Sequence, residues 1–310
     1  MKILVTGGAG FIGSHVCDRL VKDGHAVVCV DDLSLGREEN VQQLRGSGKF
    51  LFVKADVTDA KAMRKIFETN SFDACFHLAA NSDIMVNDLN IDYRKTFLTT
   101  HVLLDFLKSY RVKQLIFTST SAIYGEKAGA LREDDGPLRP ISFYGAFKLA
   151  SEAIIAAHVH QHGLQAWVFR FPNVVGRRLT HGVIYDFMRK LTLRPSELEV
   201  LGDGKQEKPY LHVSELVDAM LFAWKKANGD SNVFNLGADS STTVKSIAAM
   251  VVQEMGLKPK VRYTGGDRGW KGDVPKFAYD LSRIHALGWK AKMGSNDAVR
   301  LAIKEQLGKA

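Results

Sequence analysis

Three cysteines, seven prolines and four tryptophans in 310 residues leave several protein classes without material. Cys17, Cys29 and Cys75 have neither the paired spacing of a metal site nor the density of a disulfide scaffold. They read as small buried hydrophobes in a reducing compartment, and the expected location is the cytoplasm. There is no Pro/Ser linker, no internal repeat and no low-complexity tract. No apolar stretch is long enough to span a membrane. The first apolar run, Ile3-Leu4-Val5, is strand-length and leads into a glycine loop, not a secretory cleavage site. The net charge of +8 comes from interspersed acids and bases. Without a basic stripe or an aromatic platform, nucleic acid is not the expected partner, and a phosphorylated small molecule is.

What is present is a long chain with 45% hydrophobic residues, enough for one large α/β domain and a smaller appendage. Ile3-Leu4-Val5 has the unbroken apolar character of a strand buried on both faces. From Phe11 the apolar positions Phe11, Ile12, Val16, Leu20 and Val21 repeat at helical spacing. Between them lies Gly8-x-Gly10-x-x-Gly13, the dinucleotide-binding spacing. Glycines there permit a tight turn, let backbone N–H groups approach a pyrophosphate, and let helix and strand pack closely. The helix N-terminus offers unpaired donors to the phosphates.

Ala26–Val30 reads as the next strand and ends at Asp31-Asp32. Asp31 stands where the acid that binds the adenosine ribose is expected. A carboxylate disfavours a 2′-phosphate, so the expected cofactor is NAD; Arg37 leaves NADP as the minor alternative. Further strands are expected at Phe50–Val53, Asp73–Leu78 and Gln114–Thr118, with helices at about Leu89–Tyr110 and up to His162. This alternation predicts a Rossmann-type, doubly wound parallel sheet, with ligands at the carboxyl ends of its strands. Tyr144 and Lys148, at i and i+4, share one helical face, and a nearby ammonium lowers a phenol's proton affinity. Tyr144 is therefore a candidate acid/base. His158, His160 and His162 offer a pair at i, i+4 but no third ligand, so they read as a solvated helix end and no metal is expected.

Thr6-Gly-Gly-Ala-Gly-Phe-Ile-Gly13, Asp31, Leu78-Ala-Ala80, Thr120 before Tyr124-Gly125, and Tyr144-xxx-Lys148 together resemble the extended short-chain dehydrogenase/reductase family, and within it the UDP-glucose 4-epimerases. The resemblance covers essentially the whole chain. Arg170-Phe-Pro-Asn173-Val-Val-Gly176, Leu201–Gln206 with Tyr210–Val213, and Arg268–Pro275 resemble later segments of the same family. It implies domains at 1–172 (NAD-binding, with 209–238 returning to it) and 173–310 (nucleotide-sugar-binding, interleaved α/β).

For the cofactor, the resemblance implies contacts from Gly7, Gly10, Phe11, Ile12, Gly13, Asp31, Asp32, Ser34 and Gly36. Farther along it implies Asp56, Val57, Leu78, Ala79, Ala80, Thr118 and Phe171, together with Tyr144 and Lys148. For substrate it implies Ser82, Asn173, Gly182, Val183, Lys208, Tyr210, Arg268 and Asp273, besides Thr120 and Tyr144. Thr120, Tyr144 and Lys148 are its catalytic residues. The implied activity is 4-epimerisation, first of UDP-glucose and UDP-galactose, by transient NAD-dependent oxidation to a 4-keto sugar. N-acetylhexosamine or uronic acid epimerases, a reductase or a dehydratase remain alternatives, although Ser121-Ala122 supplies none of the acids that dehydratases place after the threonine. The helices at Leu89–Tyr110 and Tyr144–His162 imply a homodimer. Lys208 stands where many relatives have arginine, and Phe143 and Phe147 replace small residues or proline around the Tyr-Lys motif.

Overall fold

A computed structural model describes residues 1–83, 87–270 and 272–310. The chain divides into two compact units. The first comprises 1–123, 139–170 and 220–234.

In the first unit the five apolar runs named above form strands, and two further strands, Gln165–Phe171 and Ser231–Asn235, join them in the sheet. In chain order these are β1 (Lys2–Thr6), β2 (Ala26–Asp31), β3 (Phe50–Lys54), β4 (Ala74–His77), β5 (Gln114–Thr120), β6 (Gln165–Phe171) and β7 (Ser231–Asn235). They hydrogen-bond in the order β7-β6-β5-β4-β1-β2-β3. The run from β3 through β2, β1 and β4 to β5 is parallel. This is the doubly wound arrangement, whose strand order reverses between β1 and β4 and opens a crevice beyond their carboxyl ends. Ile3, Leu4 and Val5 are fully buried, as strands covered on both faces require. Leu115, Ile116 and Phe117 of β5 are buried equally, and each such side chain contributes roughly 1.5–3 kcal/mol.

The connecting helices are α1 (Phe11–Lys22), α2 (Ala60–Glu68), α3 (Leu89–Asp92), α4 (Thr99–Ser109) and α5 (Phe143–His162). Their starts follow ordinary capping chemistry. Asp59 caps α2 through the N–H groups of Lys61 and Ala62, Asp88 caps α3, and Ser142 caps α5. One expectation needs revision: the helix at Leu89–Tyr110 is not regular. Tyr93–Leu98 is a π-helical turn between α3 and α4. Periodicity misses it because an extra residue in one turn barely disturbs the apolar pattern on either side.

The second unit comprises 124–138, 171–219 and 235–310. Its helices include α6 (Val183–Leu193), the start of α7 (Val213–Lys226), α8 (Val244–Met255), α9 (Ser282–Leu287) and α10 (Ser295–Gln306). Short strand pairs join distant segments. Asn173–Val175 runs parallel to Tyr210–His212, and Glu197–Val200 parallel to Lys260–Tyr263. Among the described residues no helix is long and apolar enough to cross a membrane.

Candidate functional site

The glycine loop shows why its residues cannot be larger. Gly7 has φ +70, and a Cβ on it would lie 2.6 Å from the Ala79 nitrogen. The ends of β1 and β4 therefore touch backbone to backbone. A Cβ on Gly13 would lie 2.1 Å from the Gly7 carbonyl oxygen, which fixes α1 against the turn. Gly10 precedes α1 and supplies no side-chain cap, unlike Asp59, Asp88 and Ser142 at the starts of α2, α3 and α5. The first N–H groups of α1, at Phe11, Ile12 and Gly13, are thus left for a ligand, and an anion satisfies them best.

Asp31 lies beside this loop. Its Oδ2 accepts the Ala9 N–H at 2.9 Å and its Oδ1 the Leu33 N–H at 2.8 Å. Burial pushes its carboxyl group above the usual range, and the backbone donors oppose that. A Cβ on Gly36 would fall 2.6 Å from Asp31 Oδ1, so glycine leaves the carboxylate uncovered on that side. Asp32 accepts from the Ser34 N–H at 2.9 Å and is ion-paired with Lys95. Asp56 anchors the turn after β3 through the Thr58 N–H at 2.8 Å, next to buried Val57. These groups suit a dinucleotide: donors for a pyrophosphate, an acceptor for a ribose diol, and the small residues Ala79 and Ala80 after Leu78 where backbone must stay open.

Thr120, Tyr144 and Lys148 meet at the carboxyl end of β5. The Thr120 side chain lies close enough to the Tyr144 phenol to favour its ionised form. Lys148 Nζ donates to the Thr118 carbonyl at 2.7 Å, and lies 4.7 Å from the centroid of the Phe117 ring and 5.9 Å from that of Tyr144. The expected lowering of the phenol by its ammonium neighbour does not appear in the folded chain. Burial pushes Tyr144 above the ordinary phenol range, with Asp92 adding to the rise and Thr120 opposing it. Burial likewise pushes Lys148 down to about 7, while Glu152 supports its charge. A buried ammonium with one carbonyl partner has too little solvation to remain fully charged.

Several polar groups around this cluster carry no sequence signal. Glu152, one turn beyond Lys148, forms a buried forked pair with Arg170, whose Nη2 donates to its Oε2 at 2.7 Å, and also accepts from Ser119. His77, held between the hydroxyls of Thr6 (2.6 Å) and Thr100 (3.0 Å), is pushed down to about 3 by burial and is neutral. The Asn81 side chain donates to Asp92 at 2.8 Å. Phe147 packs against Tyr93 and Phe97, at centroid distances of 5.8 and 6.1 Å, which accounts for an aromatic residue within the Tyr-Lys motif. Ser82 is exposed. His158 and His162 stack edge to face at 5.0 Å. Among the described residues no group of three could hold a metal.

In the second unit, parallel pairing of Tyr210 with Asn173 brings these two residues together. Lys208 is ion-paired with Asp273. Arg268 is ion-paired with Glu126 and donates to the Asp273 carbonyl at 3.2 Å. Both cations expected on a diphosphate are therefore already engaged by carboxylates. Gly182, with φ +90, precedes Val183 at the start of α6. Phe171 ends β6. Lys271, within the Arg268–Pro275 segment, lies outside the described residues.

Comparison with known proteins gives this arrangement its place. The sequence model of the NAD dependent epimerase/dehydratase family matches residues 3–237. The UDP-glucose 4-epimerase of Mycolicibacterium smegmatis is 31% identical over 312 residues, covering 98% of each chain. Probable UDP-arabinose 4-epimerase 3 of Arabidopsis thaliana is 32% identical over 94% of this chain and 77% of its own. The crystal structure of Thermotoga maritima UDP-glucose 4-epimerase with UDP-glucose superimposes with a TM-score of 0.90, at 33% identity over 99% of both chains. The fold expected from the sequence is the fold of these enzymes, and the expected cofactor, NAD, is the cofactor of the family. The chain belongs to the NAD dependent epimerase/dehydratase family and is an NAD-dependent nucleotide-sugar 4-epimerase, an isomerase.

Proposed function

We propose that the chain interconverts UDP-glucose and UDP-galactose, with Tyr144 as the acid/base, Thr120 as hydrogen-bond partner of the reacting oxygen, and Lys148 as the anchor for the cofactor's nicotinamide ribose. The observation that carries this reading is the cluster at the end of β5, where Thr120 lies beside the Tyr144 phenol and Lys148 is tied to the Thr118 carbonyl. Tyr144 takes the proton from the sugar 4-hydroxyl as that carbon is oxidised, holds it while the keto sugar turns over, and returns it. Thr120 fixes the oxygen against the base, so proton transfer occurs within a hydrogen bond. When bound, NAD supplies the hydride acceptor and donor and a positive ring charge. That charge favours tyrosinate and offsets the burial that raises Tyr144. Ser121-Ala122 follow Thr120, so the strand end supplies no extra acid for elimination, which supports epimerisation over dehydration.

The nucleotide contacts belong to the same reading. Gly7, Gly10–Gly13 and Asp31 hold the dinucleotide, while Asn173, Tyr210, Lys208, Arg268 and Asp273 hold the nucleotide sugar. A diphosphate would take over Lys208 and Arg268 from their carboxylate partners. Leu89, Ile91, Tyr93 and Phe143 are exposed apolar residues on α3, the π turn and α5. They support a homodimer through these helices, which light scattering at micromolar concentration tests. The cytoplasm is the proposed location, since all three cysteines are buried thiols.

The decisive experiment mixes purified protein with UDP-glucose, UDP-galactose, UDP-arabinose, their N-acetyl counterparts and UDP-glucuronic acid, and resolves products by NMR. Conversion of UDP-glucose and UDP-galactose faster than all others is the expected result. Turnover confined to another sugar overturns the assignment of substrate.

A further inference from the structure

Among the acids at the carboxyl ends of the parallel strands lies a cation that no sequence pattern marks. Lys95 belongs to the π turn Tyr93–Leu98, and its Nζ is ion-paired with Asp32, which follows β2. The same Nζ donates to Ser34 Oγ at 3.4 Å and lies 3.9 Å from Asp56 Oδ2, in the turn after β3. The ends of β2 and β3 are thus bridged by one side chain, carried on the segment that follows β4. The turn that carries it is held in place. Thr96 Oγ1 accepts the Asn81 N–H at 3.2 Å, and the hydroxyls of Thr99 and Thr100 donate to the Lys95 and Thr96 carbonyls, each at 3.0 Å. A π turn widens one turn of a helix and re-aims the side chains on it, and such turns are frequent at functional sites.

Lys95 and Asp32 are 37% and 26% exposed, and a pair so open to solvent adds little to the stability of a fold. This one spans the region where a doubly wound sheet holds the adenosine end of a dinucleotide, next in the chain to Asp31. We propose that Lys95 is a positioning residue that retains the cofactor: paired with Asp32 and set beside Asp56, it straps the π turn across the adenosine end of the site and slows the release of NAD. The proposal rests on the reading of the glycine loop and Asp31 as the dinucleotide site. The neighbouring charges leave the strap intact. Asp31 is satisfied by the N–H groups of Ala9 and Leu33, so it does not compete for the ammonium. Burial alone would raise the Asp32 carboxyl, yet Lys95 and Ser34 hold it below the usual range, which keeps it charged for the pair. Because the strap is electrostatic and partly exposed, salt loosens it.

The test loads the protein with NAD, transfers it to cofactor-free buffer, and follows release through a dehydrogenase that reduces only the free dinucleotide. Lys95→Met keeps an unbranched stem without the charge, and is expected to release NAD about fivefold faster than wild type. Added sodium chloride should accelerate release from wild type and leave Lys95→Met unaffected. Lys95→Arg keeps the charge and should restore slow release. An unchanged release rate in Lys95→Met overturns the proposal. Faster release with the wild-type response to salt also overturns it, because the ion pair is then not what was lost. Where Lys95→Met does not fold, Lys95→Gln must show the same acceleration and the same loss of salt response. Asp31→Ala separates the strap from the reading beneath it. Full NAD affinity in Asp31→Ala refutes the dinucleotide site and the strap with it. Lost affinity there, with wild-type release from Lys95→Met, refutes the strap alone.

Discussion

Lys148 Nζ donates to the Thr118 carbonyl oxygen at 2.7 Å, tying the helix that carries Tyr144 to the end of the strand that carries Thr120. Lys148 is almost fully buried, and that burial has a measurable consequence. Its proton affinity is lowered to about 7 in the folded chain, whereas the unfolded chain keeps an ordinary lysine. Between pH 7 and about 10 the unfolded chain therefore binds more protons, and stability rises with pH. Below 7 the whole penalty of burying the ammonium is present. Thermal unfolding of protein stripped of dinucleotide should show Tm rising across this window, with the slope reduced in Lys148→Met. An equal slope in both proteins would place the titration elsewhere.

The glycine loop predicts a contrast between two alanine substitutions. Gly13→Ala drives a Cβ into the Gly7 carbonyl oxygen and should destabilise by about 1–3 kcal/mol in urea, with loss of bound NAD. Gly46 also has positive φ, but its Cβ would meet nothing within 4 Å, so Gly46→Ala should cost only about 1 kcal/mol and retain the cofactor.

Asp31 is the acceptor nearest the loop. Asp31→Ala removes a charged hydrogen-bond acceptor that contributes about 1.5–3 kcal/mol, so NAD affinity by calorimetry should fall at least about tenfold. Unchanged affinity would remove Asp31 from the dinucleotide site.

Arg170 and Glu152 are 8% and 9% exposed, and removing one leaves the other as a buried lone charge. Arg170→Met should destabilise by about 3–5 kcal/mol in denaturant unfolding. Combining it with Glu152→Gln should recover part of that loss. Full additivity of the two substitutions would show that the pair does not act as a unit.

The strands, the loop and the Tyr-Lys pair were legible because each depends on local pattern. A buried parallel strand is an unbroken apolar run, a dinucleotide turn needs glycines at fixed spacing, and i, i+4 residues share a helix face. Asp92 and Asn81 escaped because eleven residues separate them, and nothing local marks a buried acid on an apolar helix. The Arg170–Glu152 pair escaped for the same reason, as its partners meet only once β6 lies beside α5. The direction of the Tyr144 and Lys148 proton affinities was also out of reach, because spacing reports charge proximity while burial, which dominates both, depends on the packed fold. In the second unit, pairing of Lys208 and Arg268 with acids appears only once Glu126 and Asp273 are in place.

Tyr144 is the residue on which the proposed chemistry depends. The most direct measurement compares wild type with Tyr144→Phe, in epimerisation rate on the preferred nucleotide sugar and in bound NAD and nucleotide-sugar affinity. Removing the hydroxyl should lower turnover by about 10²–10⁴ while both ligands bind nearly as before. Tyr144→Phe that turns over at the wild-type rate would contradict the account and leave Tyr144 as a packing residue of α5.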